Sequence, residues 1–267
     1  MLYVSNSFTN NYDLEDADVC FLGVPFDSTA LAEGNQRFGP TLIREAMKTK
    51  ISYVPQKGKN PFRELKIADL GDLDWVPGSY GITSERFKDT MESIFQTKED
   101  VFPVFLGGEH LISLPAIEKM KPETVVQLDA HLDRAEEYQG NEHAHNTWVS
   151  KLDGVDFIQV GPRSYTEEQD EGEGYMDTDR ALDKIKKTNG PIYLTVDMDV
   201  FDPRYAPHVG FPEEGGLKPV EVFDIIDTVF EKDAVGMDIC EIASKELNNR
   251  TAHLAAKTVL RALSNLC

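Results

Sequence analysis

A chain of 267 residues, 40% of them hydrophobic, is long enough to bury a large core, and its apolar runs are strand-sized rather than the roughly 20 residues a membrane helix needs, so no transmembrane helix is expected. Its 47 acidic and 27 basic residues give a formal charge of -20, which excludes the basic face that nucleic acid or an anionic membrane demands and suits a small cationic ligand. Cys20, Cys240 and Cys267 are too scattered for a disulfide framework or a zinc ribbon and read as core or surface thiols; the first residues lack the pattern of a secretory signal, so a cytoplasmic protein is expected.

In chain order, seven short β-rich runs are predicted as buried parallel strands: DVCFLGVPF, LKIADLG, VFPVFLGG, TVVQLDAH, GVDFIQVG, IYLTVDMDV and AVGMDICEI. Between and after them the apolar spacing predicts amphipathic helices over 40–48, 83–95, 114–119, 179–187, 218–231 and 251–266. Strand and helix alternating from end to end predict an α/β fold of three layers, αβα, around a central and mainly parallel sheet, with residues 1–267 forming one domain. The polar stretch 166–177, TEEQDEGEGYMD, is predicted to be an exposed loop or a frayed helix start.

Ligands of parallel sheets bind beyond the carboxyl ends of the strands, so polar residues that terminate apolar runs carry the chemistry. Three ends qualify. Leu-Gly-Gly-Glu109-His110 uses two glycines to turn the backbone and deliver His110. Val-Val-Gln-Leu-Asp129-Ala-His131-Leu-Asp133 places acid, imidazole and acid at alternate positions, which share a face in extended backbone. Thr-Val-Asp197-Met-Asp199 repeats the pattern. Four carboxylates converging in a partly shielded volume repel one another, and two divalent cations relieve that repulsion while His110 and His131 add neutral nitrogen donors. Four aspartates and two histidines make a mainly oxygen-donor set, which favours two manganese ions over zinc.

Assembled in this order, Gly-Gly-Glu-His110, Asp-Ala-His-Leu-Asp133 and Asp-Met-Asp-Val-Phe-Asp-Pro203 resemble the ureohydrolase family, the arginases and agmatinases, and within it most closely the agmatinases. GVPFDSTALAEGNQRFGPTLIREA, LGDLDWVPG, QVGPRS and GFPEEGGL are similar to further family segments, so the resemblance covers essentially the whole chain. It implies a trimer or hexamer and a two-manganese site, with His110, Asp129, Asp133 and Asp197 on one ion and Asp129, His131, Asp197 and Asp199 on the other. Asp133 is implied also to orient the attacking hydroxide. Glu241, which ends the run AVGMDICE, is implied to hold the guanidinium, and His145, rather than His143, to pass a proton to the departing amine from a pKa near neutrality. Asn141 and Phe211 complete the expected substrate-binding set with His145 and Glu241.

The activity so implied is hydrolysis of a guanidino compound to urea and an amine, with agmatine the leading substrate. Ala144, Val209 and Phe211 depart from the usual pattern around the substrate, so arginine, guanidinobutyrate and formiminoglutamate stay open. Two other readings of the same architecture are a zinc-dependent deacetylase, which needs one metal, and a non-catalytic binding protein.

Overall fold

The computed structural model describes residues 4–5, 12–30, 34–170 and 176–267. Its strands are β1 (Val4–Ser5), β2 (Val19–Val24), β3 (Ile67–Leu73), β4 (Phe102–Gly107), β5 (Thr124–Leu128), β6 (Asp156–Val160), β7 (Pro191–Asp197) and β8 (Asp233–Cys240). Its α-helices are α1 (Gly39–Thr49), α2 (Pro61–Glu64), α3 (Tyr80–Thr97), α4 (Ser113–Met120), α5 (Thr178–Lys187), α6 (Pro219–Phe230) and α7 (Arg250–Leu263). All seven predicted strands and six predicted helices are present; the two-residue β1 and the single-turn α2 are too short to leave a period in the sequence.

The strands form one sheet in the order β1-β3-β2-β4-β8-β7-β5-β6. β1 pairs antiparallel with β3, and every other pairing is parallel. Side chains alternate between the two faces, as the pleat requires. Val19 and Phe21 of β2, Val104 and Leu106 of β4, and Ile192, Leu194 and Val196 of β7 pack with α1, α5, α6 and α7. Cys20 and Leu22, Phe105, Val125 and Tyr193 face the other way, against α3 and α4. The result is the expected three-layer αβα arrangement, with strands that read as continuous apolar runs because both faces are covered. Cys20 and Cys240 are core thiols and Cys267 is partly exposed; burial pushes the Cys20 thiol up to about 12, so it stays protonated. Among the described residues no helix is long and apolar enough to cross a membrane.

Residues 166–170 of the polar stretch make a single 3-10 turn over Glu167–Gln169, closed by reciprocal bonds between Thr166 and Gln169. Asp177 then caps α5 by accepting from Arg180 N at 2.8 Å. The remainder of that stretch, 171–175, lies outside the described residues, as do 31–33 of the GVPFDSTALAEGNQRFGP segment.

One buried ion cluster ties the first layer to the sheet. Arg44 of α1 grips Asp69 of β3 in bidentate fashion, Nε–Oδ2 at 2.8 Å and Nη2–Oδ1 at 2.9 Å, while Nη1 bonds Asp72 and Nη2 donates to Gly71 O at 2.8 Å. A Cβ on Gly23 would lie 1.9 Å from Asp72 Oδ1, so β2 needs glycine where this cluster presses on it. Replacing Arg44 with Met leaves two buried carboxylates without their shared cation. The expected cost is about 3–5 kcal/mol of unfolding free energy in urea; a loss below about 1 kcal/mol, the worth of an exposed ion pair, would show that the cluster is hydrated.

Candidate metal centre

Four neighbouring strands, β4, β8, β7 and β5, deliver the predicted residues from their carboxyl ends. His110 follows β4, Glu241 follows β8, Asp197 closes β7, and Asp129 follows β5. The two glycines before His110 serve close packing rather than a left-handed turn, since neither is among the positive-φ residues. A Cβ on Gly107 would lie 2.7 Å from Ile112 and 2.8 Å from Cys240, and one on Gly108 would lie 2.0 Å from the Phe26 carbonyl.

The extended-backbone argument for a shared face does not hold beyond the strands. Asp199 lies in a 3-10 turn over Met198–Val200, and Asp133 has φ 54. Asp197 accepts from Asp199 N at 2.8 Å, Asp129 accepts from His131 N at 2.6 Å, and Asp199 accepts from Ala130 N at 2.9 Å. These turns still bring the side chains together, because local hydrogen bonds replace the pleat. His110 Nδ1 stands 2.9 Å from Asp129 Oδ2, 3.1 Å from Asp133 Oδ2 and 3.4 Å from Asp197 Oδ2. His131 Nδ1 stands 3.0 Å from Asp199 Oδ2 and 3.3 Å from Asp129 Oδ1. Donor atoms of His110, Asp129 and Asp133 lie within 4.8 Å of one another, as do those of Asp129, His131 and Asp199, so Asp129 joins the two groups.

Two observations test whether a metal fits. The first is that His110 Nδ1 is buried and, among the described residues, makes no hydrogen bond of proper geometry despite its three carboxylate neighbours. The second is its tautomer. Ser113 Oγ and Tyr193 Oη donate to Asp238 Oδ2 at 2.8 and 2.9 Å, and Thr195 Oγ1 donates to Asp238 Oδ1 at 2.6 Å. The Thr195 proton is thereby committed, so its oxygen accepts from His110 Nε2, 2.7 Å away. That bond puts the ring proton on Nε2 and turns the Nδ1 lone pair to the carboxylates, as a metal ligand requires. The residues fit divalent cations.

The electrostatics agree. Burial and the neighbouring Asp129 push Asp133 up to about 6, and burial with Asp199 and Asp129 raises Asp197 well above the carboxylate range. Burial also raises Asp129, but the adjacent His110 and His131 rings outweigh it and hold that group low. Burial disfavours charge on His131, yet Asp199 and Asp129 lift it to about 12. Carboxylates this close and this buried disfavour their own charge, which is the condition divalent cations relieve.

Glu241 is buried with φ 66; its Oε1 accepts from His110 N at 2.7 Å and its Oε2 from Gln36 Nε2 at 3.1 Å. Burial, then repulsion from Glu109, pushes it up to about 8. A Cβ on Gly210 would sit 3.4 Å from Glu241 Oε2, so the 209–211 loop passes beside this carboxylate. Phe211, half-exposed, stands edge-on to the His131 ring at 6.3 Å. His145 Nδ1 lies 3.0 Å from the Thr29 carbonyl, whereas His143 stacks on Tyr80 at 4.8 Å. Contrary to the expected pKa near neutrality, burial draws His145 down to about 4, so its ring is neutral at pH 7. Asn141 is exposed and its Oδ1 accepts from His143 N at 3.1 Å, closing a turn.

Several supporting residues escaped the sequence reading. Asp238 left a signal, a lone acid inside a buried strand; Thr195 left a weaker one, alternating with Asp197. Gln127, which donates to Asp129 Oδ2 at 2.7 Å, left the same kind of signal by alternating with Asp129, whereas Trp148, which donates to Asp133 Oδ2 at 2.7 Å, left none. Cys240, taken as a plain core thiol, is buried but offers its sulfur within 4.8 Å of donor atoms of His110 and Asp197. Burial raises that thiol well above its ordinary range, so it stays neutral beside a hard oxygen-donor set.

Comparison with known proteins agrees with this geometry. Residues 17–264 match the model of the arginase family. The chain is 36% identical over 262 residues to the N(1)-aminopropylagmatine ureohydrolase of Thermococcus kodakarensis, covering 93% of this chain and 91% of that protein. It is 33% identical to the agmatinase of Pyrococcus horikoshii, with 96% of each covered. The crystal structure of the agmatine ureohydrolase of Thermoplasma volcanium superposes with a TM-score of 0.83 at 30% identity, covering 96% of this chain and 92% of that one. A match of that extent, on a fold shared from end to end, makes the chain a member of the arginase family of hydrolases.

Proposed function

We propose that the chain hydrolyses agmatine to putrescine and urea with two manganese ions, one held by His110, Asp129, Asp133 and Asp197 and the other by Asp129, His131, Asp197 and Asp199. The observation that carries this reading is the buried convergence of four aspartates on two histidines, with His110 Nδ1 turned toward the carboxylates. When bound, the two cations supply Lewis acidity that makes water nucleophilic near neutral pH. Asp133, tied to Trp148, orients that water. Glu241, fixed by His110 N and Gln36, receives the planar guanidinium through charge-assisted hydrogen bonds. His145, neutral at pH 7, accepts at Nε2 a proton given up by the attacking water and passes it to the departing amine.

A cationic substrate is supported by the surroundings. A cavity of about 720 Å³ opens from His131 and Asp133 and is lined by Glu136, Glu137 and Glu168 beside Arg134. Carboxylate-bearing guanidino compounds gain less there. The same cavity favours a second reading, agmatine extended by an aminopropyl arm, whose additional ammonium the three glutamates attract. Initial rates of urea release from agmatine, aminopropylagmatine, arginine and guanidinobutyrate, and of formamide release from formiminoglutamate, rank these substrates. The reading predicts the highest kcat/KM for agmatine or its aminopropyl derivative; a preference for any carboxylate-bearing compound would refute it.

Asp129→Asn and Asp197→Asn each remove a shared ligand. Both are expected to drop bound manganese below two ions per chain and to reduce turnover by more than about 100-fold, beyond the loss of an outer-shell partner. Full metal content in either variant would rule out the ligand assignment. Glu241→Gln, by contrast, should retain both ions while kcat/KM falls roughly 30- to 1,000-fold, the about 2–4 kcal/mol of a truncated buried charge pair. Loss of metal from that variant would place Glu241 among the ligands instead.

A further inference from the structure

Three distant segments meet at Thr29. The loop after β2 carries it, the end of β4 brings Glu109, and the loop that stacks His143 on Tyr80 brings His145. Glu109 has an exposure of 0% and bonds Thr29 with both oxygens: Oε2 accepts from Thr29 N at 2.9 Å, and Oε1 accepts the Thr29 hydroxyl at 2.8 Å. With its proton committed, Thr29 Oγ1 accepts from the backbone N–H of His145 at 2.9 Å. On the other side, His145 Nδ1 lies 3.0 Å from the Thr29 carbonyl, which only accepts, and 3.3 Å from an oxygen whose proton is already given away. Nδ1 must therefore be the donor, and the lone pair lies on Nε2.

We propose that Thr29 and Glu109 are positioning residues that hold His145 as its Nδ1–H tautomer, leaving Nε2 as the atom that exchanges a proton with the substrate. The base of this arrangement is rigid. Gly108 N donates to Val24 O at 2.9 Å and Glu109 N to Phe26 O at 2.7 Å, clamping the end of β4 to the loop that carries Thr29. The length of the acid matters too. An aspartate at 109 withdraws the carboxylate by one carbon–carbon bond, about 1.5 Å, and loses at least one of the two Thr29 bonds.

The inference rests on the role given to His145 above. In manganese-loaded protein, Thr29→Val keeps the side-chain shape but removes the hydroxyl; kcat is expected to fall about 100-fold with KM and the two-ion content unchanged. Thr29→Ser is expected to restore kcat, and Glu109→Asp to behave as Thr29→Val does. Ring-nitrogen chemical shifts of His145 in magnesium-loaded protein supply the readout that a merely structural role would not move: a single Nδ1–H tautomer in the native chain and a mixture in Thr29→Val, which keeps the backbone carbonyl but loses the hydroxyl bonds to Glu109 and His145 N that hold it against Nδ1. Native kcat in Thr29→Val, or a lowered kcat with an unaltered tautomer, overturns the positioning role. His145→Ala distinguishes the two levels. Retained turnover there removes the proton-carrying role itself and the inference with it, whereas lost turnover beside an unaltered Thr29→Val tautomer removes only the inference.

Discussion

The structure depends on the repulsion among carboxylates gathered beyond the ends of four strands. Asp129, Asp133, Asp197 and Asp199 are all buried, with Glu241 and Glu109 close behind them. Inside a protein such groups are tolerated only when positive charge or protons neutralise them. The chain itself contributes two imidazoles to the cluster, and burial, then repulsion from neighbouring carboxylates, draws carboxyls upward, to about 6 at Asp133 and about 8 at Glu241. Divalent cations would resolve that conflict, since their charge offsets the carboxylates that burial otherwise penalises.

The fold meets this constraint in layers. Parallel strands point their carboxyl ends into one place, and the chain then leaves extended geometry at once. Asp133 and Glu241 both occupy the left-handed region, at φ 54 and 66, where side chains other than glycine are rare and each costs on the order of 1–3 kcal/mol. Around them a second set of groups fixes orientation: Asp238 through Thr195 for His110, Trp148 for Asp133, and Gln127 for Asp129. Gln127 is itself held by Gln159, whose Nε2 donates to Gln127 Oε1 at 2.6 Å. Three of the six clustered side chains, His110, Asp133 and Asp129, are thus held in orientation by neighbouring side chains.

What the sequence discloses follows from what is periodic. The sheet was legible because strands covered on both faces are continuous apolar runs, and the site because those runs end in acids and imidazoles. Local turns were not legible. Alternation suggested one extended face for Asp197 and Asp199, whereas a 3-10 turn supplies the actual geometry. Glycines 107 and 108 were noticeable, but their reason, crowding against Cys240 and the Phe26 carbonyl, belongs to packing that only the fold creates. The low pKa of His145 likewise arises from burial, opposed by its bond to the Thr29 backbone, and Thr29 and His145 are 116 residues apart.

The most direct measurement of the central claim is anomalous diffraction at the manganese edge from a crystal grown with excess manganese. The account requires two peaks roughly 3.5–4 Å apart, one against His110 Nδ1 and one against His131 Nδ1, with Asp129 and Asp197 touching both. A single peak, or the aspartates turned away from an ion-free space, contradicts it.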